Sequence, residues 1–245
     1  MSDIAISKIG ELSDEIAKIK DEYDGPLWYR GHGNAAWALI PGYYRTGKKV
    51  SEHSLLIKFR QSATMLVEKP PIDSFDWLFL MQHYGVPTRL LDWTESPLVA
   101  LYFCVNSEPN EEGAIWALKP SNLNRIARIH AKDDDGFIPS FQDEELTPYK
   151  IENMRGHSVV ELPPVATIAS RNNPRIQAQL GAFTIHHIEN NPIESLGDRS
   201  HVARILVSAE AKAELRTELE LLGFTKFQMF PELASVGDLI RESLK

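Results

Sequence analysis

MQHYGVPTRLLDWTESPLVALYF, residues 81–103, carries a helix end, an extended segment and a helix start in succession. Asp73 is a helix N-cap residue, and the run it opens reaches Tyr84. Gly85 lies just past that end and Pro87 two residues on, which together make a helix stop. Thr88-Arg89-Leu90-Leu91 is short, apolar at its end and bounded by breakers, so it reads as extended chain. Thr94 or Ser96 then caps a second helix with Pro97 in its first turn, where the missing N–H leaves no bond unmade. Leu98, Leu101, Tyr102 and Val105 recur at three- and four-residue spacing, the period of a helix that buries one face.

Upstream, Ile9, Leu12, Ile16 and Ile19 mark an amphipathic helix within residues 1–25, ended by Asp24-Gly25-Pro26. LWYRGH, residues 27–32, is short, aromatic and flanked by turn residues, and reads as a strand. Residues 51–67 read as a helix. Downstream, AIWALK, AFTIHHI and VARILVS read as strands, 121–131 and 209–222 as helices, and a last helix starts near Pro231. The acidic segment 133–157 is expected to be a surface loop or lid. Strands and helices mix without regular βαβ alternation, which predicts an α+β (irregular α/β) fold: a single mixed-sheet domain over residues 1–245 with peripheral helices.

The chain has 245 residues, 43% of them hydrophobic, enough for a sizeable core. No stretch approaches the roughly 20 apolar residues of a membrane span, and the N-terminal stretch is too short and acidic for a signal peptide. A cytoplasmic protein without membrane contact is expected. The formal net charge of −8 argues against general nucleic-acid binding, which needs basic surface to neutralise phosphates. Cys104 is the sole cysteine, so neither an intrachain disulfide nor a thiolate cage is possible. His186 and His187 alternate across a strand and cannot chelate one ion together, so no metal site is expected.

Four of the five tryptophans and five of the seven tyrosines fall between residues 26 and 104, together with Arg30, Arg45, His83, Arg89 and Asp92. Charged groups inside short apolar segments need partners or a ligand. Arg30, Arg89 and Asp92 are therefore either a structural ion-pair network or the floor of a pocket. His32 shares a strand face with Arg30. His83 closes a helix, where either the helix C-terminus or the pocket can claim it.

WYRGHGNAAWALIPGYYR (28–45) resembles the opening signature of the FRG domain family, with Tyr29 where that family usually has phenylalanine. MQHYGVPTRLLDWTESPLVALYF is similar to its second and most specific block. NPRIQAQLGAFTI (173–185) and FQMFPELASV (227–236) resemble two weaker blocks, so the likeness runs over about residues 26–240. A bacterial or phage setting, with a defence or toxin role, is what the family's distribution implies.

A further likeness is to the ADP-ribosyltransferase fold, and it implies NAD as the bound dinucleotide. On that likeness Arg30 holds the pyrophosphate or ribose, with His32, His83 and Arg89 beside it, and Tyr84 or Trp93 stacks on the nicotinamide. Gln179 stands where such enzymes carry a glutamate, so on this likeness either Asp92 or Gln179 orients the ribose, with Asp92 as the acid that substitutes or else the activity lost. The alternative is a non-catalytic module that recognises a nucleotide or a protein through the same aromatic and basic pocket.

Overall fold

Side-chain caps set the helix starts. In the computed structural model, which describes residues 5–47, 50–129, 134, 136–154, 161–169, 173–242 and 244, Asp73 accepts from the Phe75 N–H at 2.8 Å and Ser96 from the Val99 N–H at 3.4 Å. Gly85 takes φ +77°, the left-handed conformation that ends a helix without a Cβ penalty. In chain order the elements are β1 (Ala5–Ile6), α1 (Ile9–Asp21), β2 (Trp28–His32), α2 (Gly42–Arg45), α3 (Glu52–Ala63) and α4 (Ser74–His83). They continue with β3 (Leu90–Thr94), α5 (Pro97–Val105), β4 (Gly113–Leu118), α6 (Pro120–Ile126), β5 (Val165–Thr167) and α7 (Pro174–Ala178). Last come β6 (Gly181–Ile185), β7 (Val202–Val207), α8 (Lys212–Leu221), α9 (Lys226–Met229) and α10 (Leu233–Glu242).

The seven strands form one mixed sheet in the order β1-β7-β4-β2-β3-β6-β5. Only β1 and β7 run parallel; the other neighbours are antiparallel. The fold is thus α+β, as the sequence predicts. The strand expected at 88–91 begins instead at Leu90 and runs to Thr94, so Asp92 and Trp93 lie within it on opposite faces.

The strands of the two signature blocks, β2 and β3, lie side by side at the centre of the sheet. Their pairing is confined to Tyr29 opposite Thr94, whereas β2 pairs with β4 along all five of its residues. From Arg30 onward on β2, and from Trp93 back along β3, the two strands part.

Alternation sorts the side chains. Tyr29, Ile115, Ala117, Ile205 and Val207 face α1, α5 and α8 in one core cluster. On the same side of the sheet, Leu90, Val165, Phe183 and Ile185 pack with α3 and α4 in a second cluster. Trp28, Leu91, Trp93, Ala114, Trp116 and Leu118 face the other side. Two helical layers therefore share one sheet face, and the crevice between them lies over the parting of β2 and β3.

α5 fills its place tightly. A Cβ on Gly31 would stand 1.8 Å from the Ala100 carbonyl oxygen, so only glycine lets this helix press onto β2. Leu101 and Val105 are fully buried as the spacing predicts, but so are Ala100 and Cys104, while Leu98 is half-buried. The helix is enclosed on more than one face, which is why it is apolar nearly all round.

The segment expected to be a surface loop or lid, 133–157, is different in its described part. Phe141, Leu146, Tyr149 and Ile151 are buried in the second cluster, and two 3-10 turns, Glu144–Tyr149 and Ile151–Met154, carry three of them. Residues 133, 135 and 155–157 lie outside the described residues.

Candidate functional site

Over the parting of β2 and β3, between α4 and α5, opens a cavity of about 860 Å³. That is within the range of small-molecule sites, roughly 300–1,000 Å³. Phe79 of α4 and Phe103 of α5 give it aromatic walls, and Arg30, His83, Asp92 and Gln179 supply polar groups.

Arg30 is the organising group. Its strand position points it to the far face, but the gap between the strands lets it reach the cavity. Its Nη1 donates to the Asp92 carbonyl oxygen at 2.6 Å and its Nε to His32 Nε2 at 3.0 Å. No protein acceptor among the described residues takes the Nη2 hydrogens. Protein packs densely around the guanidinium, although the cavity keeps part of the side chain wet. Burial pushes its pKa down to about 10, Asp92 opposing and Arg45 adding to the shift, so it stays charged at neutral pH.

His32 sits behind Arg30, 4% exposed, and does not line the cavity. Its Nδ1 lies 3.1 Å from the Trp37 carbonyl oxygen. Donation there leaves the Nε2 lone pair for Arg30, which requires the neutral ring. Burial first and the Arg30 charge second push its pKa down to about 3, so neutrality holds across the physiological range.

The Asp92 carboxylate is exposed at the cavity and accepts from Gln82 Nε2 at 2.6 Å. Gln82 is itself held by the Thr88 hydroxyl, which donates to its Oε1. Gln179 lies across the C-terminal end of α7, its Nε2 donating to the Met229 carbonyl oxygen at 2.9 Å. The Thr94 hydroxyl donates to the Gln179 backbone oxygen at 2.6 Å, tying β3 to this corner. His83 lines the cavity 3.8 Å from Glu232, its pKa lowered by burial and then by Arg175, with Glu232 opposing.

Besides His32, three of the residues singled out in the sequence stand elsewhere or face otherwise. Arg89 is 1% exposed and outside the cavity. Its Nε donates to Glu52 Oε2 at 2.7 Å, Nη1 to the His186 carbonyl at 3.2 Å and Nη2 to the Tyr149 carbonyl. Its own N–H donates to Glu52 Oε1 at 2.9 Å. It is the hub that joins α3, the edge of β3, the end of β6 and the first 3-10 turn. Tyr84 is 67% exposed beyond the cavity, its ring edge-on to His83. Trp93 borders the cavity but is 3% exposed, with its indole N–H donated to Thr184 Oγ1 at 3.0 Å, so its faces are packed and not open for stacking.

Lys69, Asp76, Phe79, Phe103 and Arg175 also line the cavity and were not singled out by sequence. Arg175 lies in the NPRIQAQLGAFTI block, where a charge between breakers was a usable signal. It donates to the His83 carbonyl at 3.4 Å and lies 4.7 Å from the Phe230 ring centre. Asp76 has its pKa raised by partial burial and by Asp73. Nothing local in sequence separates Lys69 or Asp76 from any other exposed helix-flanking charge.

No helix among the described residues is long and apolar enough to cross a membrane. Comparison with curated proteins and with solved structures returned no match. A family model does match, over the stretch that builds β2, α4, β3 and α5 and with them most of the cavity. Residues 25–113 match the FRG domain, and the chain carries an FRG domain there.

Proposed function

We propose that the cavity binds a dinucleotide of the NAD type and that its chemistry, where it turns over, is transfer of ADP-ribose. The observation that carries this reading is Arg30. A guanidinium pinned on two sides, on a residue that lines an 860 Å³ cavity and whose Nη2 has no acceptor among the described residues, is a preorganised receptor for an anion such as pyrophosphate. Phe79 and Phe103 offer faces for the flat rings of such a ligand.

When bound, the dinucleotide supplies the bond between ribose and nicotinamide that breaks in such a transfer. The chain's part is to hold and to stabilise. Arg30 fixes the pyrophosphate, and His32 and the Asp92 carbonyl fix Arg30. The Asp92 carboxylate, held by Gln82, faces the positive charge that develops on the ribose as nicotinamide leaves with the bonding electron pair.

A second reading, a binding module without turnover, is favoured by Gln179. The carboxylates lining the cavity are Asp76 and Asp92, and the amide of Gln179 is tied to the Met229 carbonyl. A neutral amide cannot supply the charge that a glutamate would.

Two measurements test the proposal. By calorimetry NAD should bind the parent, and Arg30→Ala should weaken it at least tenfold; unchanged affinity would remove the reading. In single-turnover release of nicotinamide, Asp92→Asn should slow the reaction by a hundredfold or more with little change in melting temperature, and Gln179→Ala by much less. Binding without any release would select the second reading.

A further inference from the structure

The same register that places Arg30 builds a row across the far face of the sheet. Arg30 of β2 stands opposite Trp116 of β4, and Trp116 opposite Arg204 of β7. The Arg204 guanidinium lies over the Trp116 ring, 5.7 Å from its centre. Strands stand about 4.8 Å apart, so the backbones at the two arginines are about 10 Å apart.

At the outer end of this row lies a second cavity of about 420 Å³. Trp37 lines both cavities. Ala36 and Ala38, on either side of Trp37, are too small to fill the space. Arg199 and Arg204 border it with their charges. Glu194 also borders it, but both its carboxylate oxygens accept from the Leu39 N–H, at 3.3 and 3.1 Å, which ties the acid to the Trp37 loop. The indole N–H of Trp116, 7% exposed, is buried with no acceptor among the described residues. An aromatic floor and wall, two guanidinium groups and an unmet buried donor describe a receptor for a planar ring that carries an anion.

We propose that this second cavity binds a nucleoside monophosphate, its phosphate on Arg199 and Arg204 and its base against Trp37. The site does not depend on what the first cavity holds. Because Trp37 lines both, the two sites are neighbours on the protein.

Calorimetric titration with AMP tests this on the parent, on Arg30→Ala, and on the pair Arg199→Gly/Arg204→Ala, glycine suiting the φ of +67° at position 199. A separate variant, Ala38→Leu, fills the second cavity and leaves both arginines in place. The second-site event should persist in Arg30→Ala. It should weaken at least tenfold in the arginine pair and in Ala38→Leu, with thermal melts showing folded protein. Absence of AMP binding, or binding unchanged in both the arginine pair and Ala38→Leu, overturns the proposal. Should the arginine pair fail to fold, Ala38→Leu decides alone. NAD affinity unaffected by Arg30→Ala counts against the reading of the first cavity and leaves this one standing. A short oligoadenylate that competes at the second site would show the nucleotide read at the end of a strand, and one that fails would show it read free; either upholds the site.

Discussion

Arg30 and Arg89 look alike in the sequence, each a lone cation inside a short apolar stretch, and the fold gives them opposite work. Arg89 donates to Glu52 and to two backbone carbonyls in a site closed to water, with a side-chain salt bridge of 2.7 Å. Arg30 spends two donors on the protein and lines a cavity. The consequences of removing them should separate. Arg89→Met leaves Glu52 charged and buried without its partner, and breaking such a pair costs about 3–5 kcal/mol. Arg30→Met leaves only the His32 nitrogen and the Asp92 carbonyl short of a donor, about 1–3 kcal/mol. Urea unfolding should thus rank Arg89→Met well below Arg30→Met in stability, while only the latter loses ligand affinity among molecules that remain folded. Equal destabilisation, or ligand binding abolished in folded Arg89→Met, would contradict the division.

At the scale of elements, the site exists because β2 and β3 are neighbours that pair at one position only. α5 secures that arrangement from above. Gly31→Ala should push α5 off β2, since the added Cβ would lie 1.8 Å from a backbone oxygen that cannot turn aside. Overpacking of this kind costs about 1–3 kcal/mol. Leu101→Ala should cost about 2–5 kcal/mol through the cavity it leaves, whereas Pro97→Ala, at a half-buried first-turn position, should stay within about 0.5 kcal/mol. Equilibrium unfolding of the three variants checks the order; a Leu101→Ala protein as stable as the parent would show that the helix is not the clamp. Much of this was legible beforehand, because helix ends are local: Asp73, Gly85, Ser96 and Pro97 act within a few residues of themselves. The meeting of the two signature blocks at one site was legible too, from charge placed in apolar runs. The parting of β2 and β3 was not, since strand pairing is tertiary and no residue of either strand announces where it stops. For the same reason the pocket-facing arginine could not be told from the buried one. In residues 133–157 the acidic composition hid Phe141, Leu146, Tyr149 and Ile151, the last three of them on short 3-10 turns, so their spacing sustains neither a helix nor a strand period.

For the whole molecule, two helical layers share one sheet face, and several imidazoles around the sheet are kept out of water. Burial holds the pKa of His186 down to about 4 and that of His32 down to about 3, and it also lowers those of His83, His187 and His201. An unfolded histidine takes its proton near pH 6.5. Between that value and the lowered native one, the unfolded state binds protons that the folded state refuses, so stability is complete above about pH 6.5 and falls as the pH drops. For His186 the loss levels off near pH 4, and for His32 near pH 3. Each such ring contributes a slope of up to about 1.4 kcal/mol per pH unit. His32 and His186 together should therefore give a fall of roughly 2–3 kcal/mol per pH unit between pH 6 and 4, measured as urea unfolding free energy. Asp76 works in the opposite sense, its raised pKa adding stability only once the pH approaches the carboxylate range. In His186→Gln the slope should drop by about 1.4 kcal/mol per unit while stability at pH 8 changes much less. A parent whose stability is flat from pH 7 to 5 would mean that these rings meet water, and that the closed seam behind Arg30, on which the preorganised cavity depends, is open.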